Sequence, residues 1–211
     1  MGPQDYSQNS LNKSQLLYYG LLGIPIAMLG IPIYIYLPNY YHQTYDLNLT
    51  IIGFALLAAR LFDVVTDPVL GWLSDQLNPY FNKTWQIFLA TFFLLFSVYQ
   101  LFFPNPENIS GLSLGWWCFL TYLAWTWVQV PYLSLAAEIS KDNFAKSQLT
   151  ATREGLSIIG VLTILLLPLS LNIEINSMDF YSVIFITLSV LFIVTSAALF
   201  KVKQLPLTVK N

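Results

Sequence analysis

The sequence predicts an all-α integral membrane protein, a bundle of six transmembrane helices with both chain ends on one side. Three observations lead there. Of 211 residues, 56% are hydrophobic and 9% charged, against roughly 25% charged in a soluble domain. The apolar residues fall into six runs, each about the 20 residues that a helix needs to cross hydrocarbon. The lysines, finally, lie only in alternate loops and at the ends.

The runs are Leu16–Leu37, Leu49–Leu73, Trp85–Phe103, Leu112–Ala137, Ser147–Leu171 and Phe180–Phe200. Between them stand Pro38-Asn39, Asn78-Pro79, Pro104-Asn105-Pro106, Lys141-Asp142-Asn143 and the stretch from Asn172 to Asn176, all read as turns. The fifth run is the least apolar at its start, where Arg153 and Glu154 sit.

Lys13 precedes the first run, Lys83 lies between the second and third, and Lys141 and Lys146 between the fourth and fifth. Lys201, Lys203 and Lys210 follow the sixth. The other three loops carry only Asp46, Glu107, Glu174 and Asp179 as charges. Lysine and arginine collect on the cytoplasmic side, so both ends are expected there. Three parts follow: a polar cytoplasmic segment over residues 1–14, a six-helix bundle over 15–200, and a cytoplasmic tail over 201–211. Residues 1–14 have no signal-peptide pattern, and no basic run suits a nucleic acid. Cys118 is the sole cysteine and reads as an inert packing residue.

Arg60, Asp63 and Asp67 interrupt the second run. A charge at mid-membrane costs roughly 2.5–3.5 kcal/mol on insertion scales, so such residues by default mark an ion or solute pathway. Their i, i+3, i+7 spacing puts them on one helical stripe. Two carboxylates a turn apart suit a small cation such as Na+, or a proton, and Arg60 neutralises part of their charge when the site is empty. An architectural Arg60–Asp63 salt bridge is the plainer reading, and it leaves Asp67 without a partner. Gly71 and Asp75 close this helix, by ordinary termination or by engaging a neighbouring helix end.

The first run repeats Gly-Ile-Pro-Ile at residues 23–26 and 30–33. Pro25 and Pro32 fall on nearly the same face and each bends the helix, which then flexes, lines a cavity or is simply packed and kinked. In the fourth run Trp116 and Trp117 suit an interfacial belt. Trp125 lies deeper, as a stacking surface for a sugar ring or as a core or lipid-facing residue. Gln129 offers hydrogen bonds in mid-run, followed by Pro131-Tyr132. Arg153 pairs with a carboxylate or a solute, or snorkels to the interface. His42 reads as a solvated loop residue. No histidine lies within a run and Cys118 has no basic neighbour, so an enzyme is not expected.

Together these residues resemble the glycoside–pentoside–hexuronide:cation symporters, the melibiose-carrier branch of the major facilitator superfamily. The resemblance runs through Tyr19-Gly20, Tyr40-Tyr41, Arg60-x2-Asp63-x3-Asp67-Pro68-x2-Gly71, Pro131-Tyr132-Leu133-Ser134-Leu135, Ile139-Ser140-x-Asp142 and Arg153. It implies a coupling cation, Na+ or H+, at Asp63 and Asp67, and no other cofactor. It also implies a sugar or similar small solute held between two helical halves, helices one, four and five contributing, with Arg60, Trp125, Gln129, Tyr132 and Arg153 facing the cavity. Sugar-carrying members bear charge near Ile26 and Ala27 and an acid where Gln129 stands, so the solute is expected to differ. The family has twelve crossings in two halves, and this chain resembles the amino-terminal half. The expected partners are the lipid bilayer of a bacterial inner membrane and a second six-helix unit, either another copy or a separate chain. A truncated, non-transporting fragment or an assembly subunit is the alternative.

Overall fold

The computed structural model describes residues 11–203 other than Asn176. The first ten residues and the tail after Lys203, including Lys210, lie outside the described residues. The described chain runs through six helical stretches: α1 (Lys13–Tyr45), α2 (Leu49–Leu77), α3 (Lys83–Phe102), α4 (Gly111–Ile139), α5 (Asn143–Leu171) and α6 (Met178–Ala198). All but α4 are long and apolar enough to cross a bilayer by length and composition. The 29 residues of α4 are long enough, but its aromatic and hydroxyl side chains dilute its mean hydropathy. The architecture is that of an all-α membrane half of the major facilitator type.

Polar caps start the helices where the sequence breaks. Asn48 accepts from the Thr50 amide at 2.8 Å ahead of α2. Ser110 and Ser113 cap each other's backbone ahead of α4. Asp142 accepts from Ala145 ahead of α5, and Ser177 from Phe180 ahead of α6. Such side chains satisfy amides that have no intrahelical partner. Asp46 and Asn172, with φ of 55° and 51°, end α1 and α5 in the left-handed conformation.

The first crossing departs from its expected course. It comprises Lys13–Gly20, Gly23–Ile31, a π-helical turn over Pro32–Tyr36 and Leu37–Tyr45. Helix therefore continues through Pro38-Asn39, which the sequence marked as a turn. The physical reason is the π turn: the Leu37 amide reaches back five residues to the Pro32 carbonyl, and the widened coil accommodates both prolines. His42 consequently lies on a helix rather than in a loop, with Nδ1 2.8 Å from the Leu47 carbonyl oxygen. Pro25 and Pro32 are both buried, and the first irregularity falls at Leu21–Leu22, ahead of Pro25. Helix α2 likewise runs past Gly71 and Asp75 to Leu77.

In the bundle α4 packs on α2 and α3, α1 on α5, and α6 on α3 and α1. Lipid offers no hydrophobic drive for helices to associate, so close packing and interhelical hydrogen bonds carry the load. Tyr41 donates to the Leu101 carbonyl at 2.8 Å and Tyr40 to the Phe102 carbonyl at 3.3 Å, capping α3 with side chains from α1. Tyr19 and Tyr132 each donate to the other's carbonyl, tying α1 to α4.

The α1–α5 contact depends on glycine. A Cβ on Gly160 would collide with the Ile24 carbonyl, and one on Gly23 would stand 2.9 Å from the Arg153 carbonyl oxygen. Backbone cannot yield as a side-chain tip does. Gly160→Ala should therefore destabilise the bundle by about 1–3 kcal/mol, read as a lower unfolding temperature in detergent. Gly155→Ala on the same helix meets nothing within 4 Å and should leave that temperature unchanged or slightly raised.

Candidate functional site

Helix α2 presents Arg60, Asp63 and Asp67 along one side, into a cavity of about 650 Å³. Tyr34 of α1 and Tyr122, Trp125, Thr126 and Gln129 of α4 form the facing wall. Arg60 Nη1 donates to Asp63 Oδ2 at 3.1 Å; the arginine side chain is 62% exposed and the aspartate 13%. Asp67 is not left alone, as the architectural salt-bridge reading required. The Thr126 hydroxyl donates to its Oδ1 at 2.9 Å. The carboxylates thus have different neighbours, a guanidinium for Asp63 and a neutral hydroxyl for Asp67.

Three rings stand beside this stripe. Tyr34 and Tyr122 have centroids 6.1 Å apart and planes within 20°. Trp125 completes the group at 6.2 Å from Tyr34 and 6.5 Å from Tyr122. The Arg60 guanidinium carbon lies 5.7 Å from the Tyr34 centroid and 5.8 Å from that of Tyr122, within cation–π range.

A second cavity of about 260 Å³ adjoins the first and shares Gln129 and Leu133 with it. Its other walls come from Gly23, Ile26 and Ala27 of α1, Tyr132 of α4, and Arg153, Glu154 and Ser157 of α5. Arg153 is ten residues inside α5, roughly 15 Å along the helix. Its guanidinium Nε and Nη2 both donate to Glu154, the next residue. Glu154, 61% exposed, is the carboxylate of this cavity; the positions on α1 and α4 at which charge was expected by resemblance are Ile26, Ala27 and Gln129. Sequence reading passed over Glu154 because adjacent helical residues do not normally face each other.

The remaining candidates are elsewhere. Pro25 and Pro32 line neither cavity. Gly71 lies against Val130, where a Cβ would be 3.6 Å away. Asp75 engages the start of a neighbouring helix, accepting from Lys83 Nζ at 3.2 Å. Lys83 also contacts Glu138 at 3.1 Å, and Asn78 donates to the same Glu138 oxygen at 2.8 Å. Beside them the buried Gln86 amide bonds to Ser74 and to the Phe81 carbonyl. This cluster binds α2, α3 and α4 at the lysine-bearing end. A larger groove of about 710 Å³ along α2 and α4 has no charged residue in its lining.

The family model described as MFS/sugar transport protein matches residues 18–205. An uncharacterised symporter of Synechocystis is 25% identical over 78% of this chain and 32% of its own length. The inner membrane symporter YicJ of Escherichia coli is 25% identical over 75% of this chain and 36% of its own. The isoprimeverose transporter of Lactiplantibacillus pentosus is 24% identical over 64% and 29%. The chain thus spans about a third of the length of these relatives. With its match across nearly the whole described bundle, this multi-pass membrane chain belongs to the MFS/sugar transport protein family.

Proposed function

We propose that the chain forms one half of a cation-coupled symporter that carries a sugar or similar small solute by alternating access. It acts as a carrier and not an enzyme, in a bacterial inner membrane, with its lysine-bearing end in the cytoplasm. One observation carries the reading: the acidic stripe of α2 opens into a cavity that holds aromatic and hydrogen-bonding groups. Sodium or a proton binds at Asp63 and Asp67, and the solute occupies the adjoining space near Trp125, Gln129, Tyr132, Arg153 and Glu154. Cation binding removes net negative charge from the cavity and favours solute entry and rocking of the halves.

The other wall comes from a second six-helix unit, a further copy or a different chain. In support, α2 and α5 are the two least covered of the five apolar spans, each with 17% of its most apolar window buried. They also bear Arg60, Asp63, Asp67, Arg153 and Glu154. Lipid would be a poor neighbour for that surface. Reconstitution into liposomes, alone and with a candidate partner, tests the proposal. Inward sodium or proton gradients should accelerate uptake of a labelled sugar only when two halves are present. Gradient-independent leakage in every combination would refute it.

A further inference from the structure

We propose that Tyr34 and Tyr122 are positioning residues: they receive the Arg60 guanidinium when a sodium ion replaces it at Asp63, and so set how tightly that ion binds. The inference rests on the cation site proposed above.

Arg60 has two kinds of partner at once. Its Nη1 contacts Asp63 at 3.1 Å, and its guanidinium carbon lies 5.7 and 5.8 Å from the centroids of the two rings. A sodium ion arriving at Asp63 meets this resident cation and must displace it. The freed guanidinium cannot simply move to an open carboxylate, because Asp67 is engaged by Thr126 and is the second ligand for the incoming ion. The tyrosine faces remain in reach, because Arg60 touches them already. Their attraction for a cation strengthens as water is excluded.

The two rings differ in setting, for Tyr34 is 44% exposed at the cavity. Tyr122 is 2% exposed and fixed on α4. Tyr34 belongs to the π turn over Pro32–Tyr36 and stands four residues after Gly30, on the face that meets Trp125. Turns of this kind cluster at functional positions. Without these faces, a displaced Arg60 has only water or Asp63 to return to, and it competes more strongly with the ion.

The test is equilibrium binding of radiolabelled sodium to the complete chain in lipid nanodiscs, with N-methylglucamine holding ionic strength constant. Tyr34→Leu and Tyr122→Leu should each weaken binding about fivefold, the difference between an exposed and a desolvated cation–π contact. Tyr34→Phe and Tyr122→Phe keep the ring face and should restore wild-type affinity. Arg60→Gln should tighten binding, and in that background the leucine variants should have no further effect. Unchanged affinity in the leucine variants of the otherwise wild-type chain overturns the inference. So does an equal loss with and without Arg60, which would mean general damage to the site. A wild-type chain that binds no sodium refutes the sodium site itself, and the inference falls with it.

Discussion

Asp67→Asn, in the chain assembled with its other half, should abolish cation-stimulated solute uptake while leaving membrane insertion intact. The substitution keeps the shape of the side chain and an oxygen for the Thr126 hydroxyl, which now donates at 2.9 Å. It removes one of two negative charges. A unit charge about 4 Å from a cation, at an effective dielectric of 20, is worth roughly 4 kcal/mol, about a thousandfold in cation affinity. Asp63→Asn should be as severe for a further reason. Asp63 is the ion-pair partner of Arg60, so its neutralisation leaves a free guanidinium in the cavity that repels the incoming ion. Gradient-driven uptake by liposomes, beside a measurement of inserted protein, checks both. Wild-type stimulation in both variants would end the coupling claim. Loss of insertion would instead place the carboxylates in folding.

Much of the bundle could be read without coordinates, because hydrocarbon demands long apolar runs and punishes charge. The runs and the lysine partition identified all six helices. What misled was local. Pro38 reads as a helix stop, since a proline inside a regular helix removes a hydrogen bond and clashes with the preceding turn. Here the turn before it is π-helical, and the chain passes through to Tyr45. Tyr34 was passed over although it stands four residues after Gly30 on the face that meets Trp125, because a single tyrosine in an apolar run does not announce a cavity. The acidic stripe was legible because it lies on one helix with helical spacing. Of its neighbours Trp125 and Gln129 were expected, whereas Tyr34, Tyr122 and Thr126 were not, because they belong to other helices: Thr126 is 59 residues from Asp67. Neither residue's type announces the contact, and only the packing of α2 on α4 creates it.

The strongest such hidden contact should also give the largest loss of stability. Lys83→Met should destabilise the bundle by about 3 kcal/mol, the usual cost of breaking a buried pair by removing one partner. Lys83 is the first residue of α3, where the helix dipole disfavours a cation. It is nevertheless 5% exposed, and two carboxylates compensate it, Asp75 at 3.2 Å and Glu138 at 3.1 Å. The two are unequal. Asp75 is 72% exposed and water can replace the lysine there, whereas Glu138 is 15% exposed and would keep only its bond from Asn78. The loss therefore lies mainly in Glu138. Adding Glu138→Gln to Lys83→Met removes the stranded charge, keeps an acceptor for Asn78 and should recover most of the stability. Thermal unfolding in detergent, followed by the fluorescence of the six tryptophans, reads the change. A double variant no more stable than Lys83→Met would show that the lysine acts through its stem packing, or through Asp75, and not by neutralising Glu138.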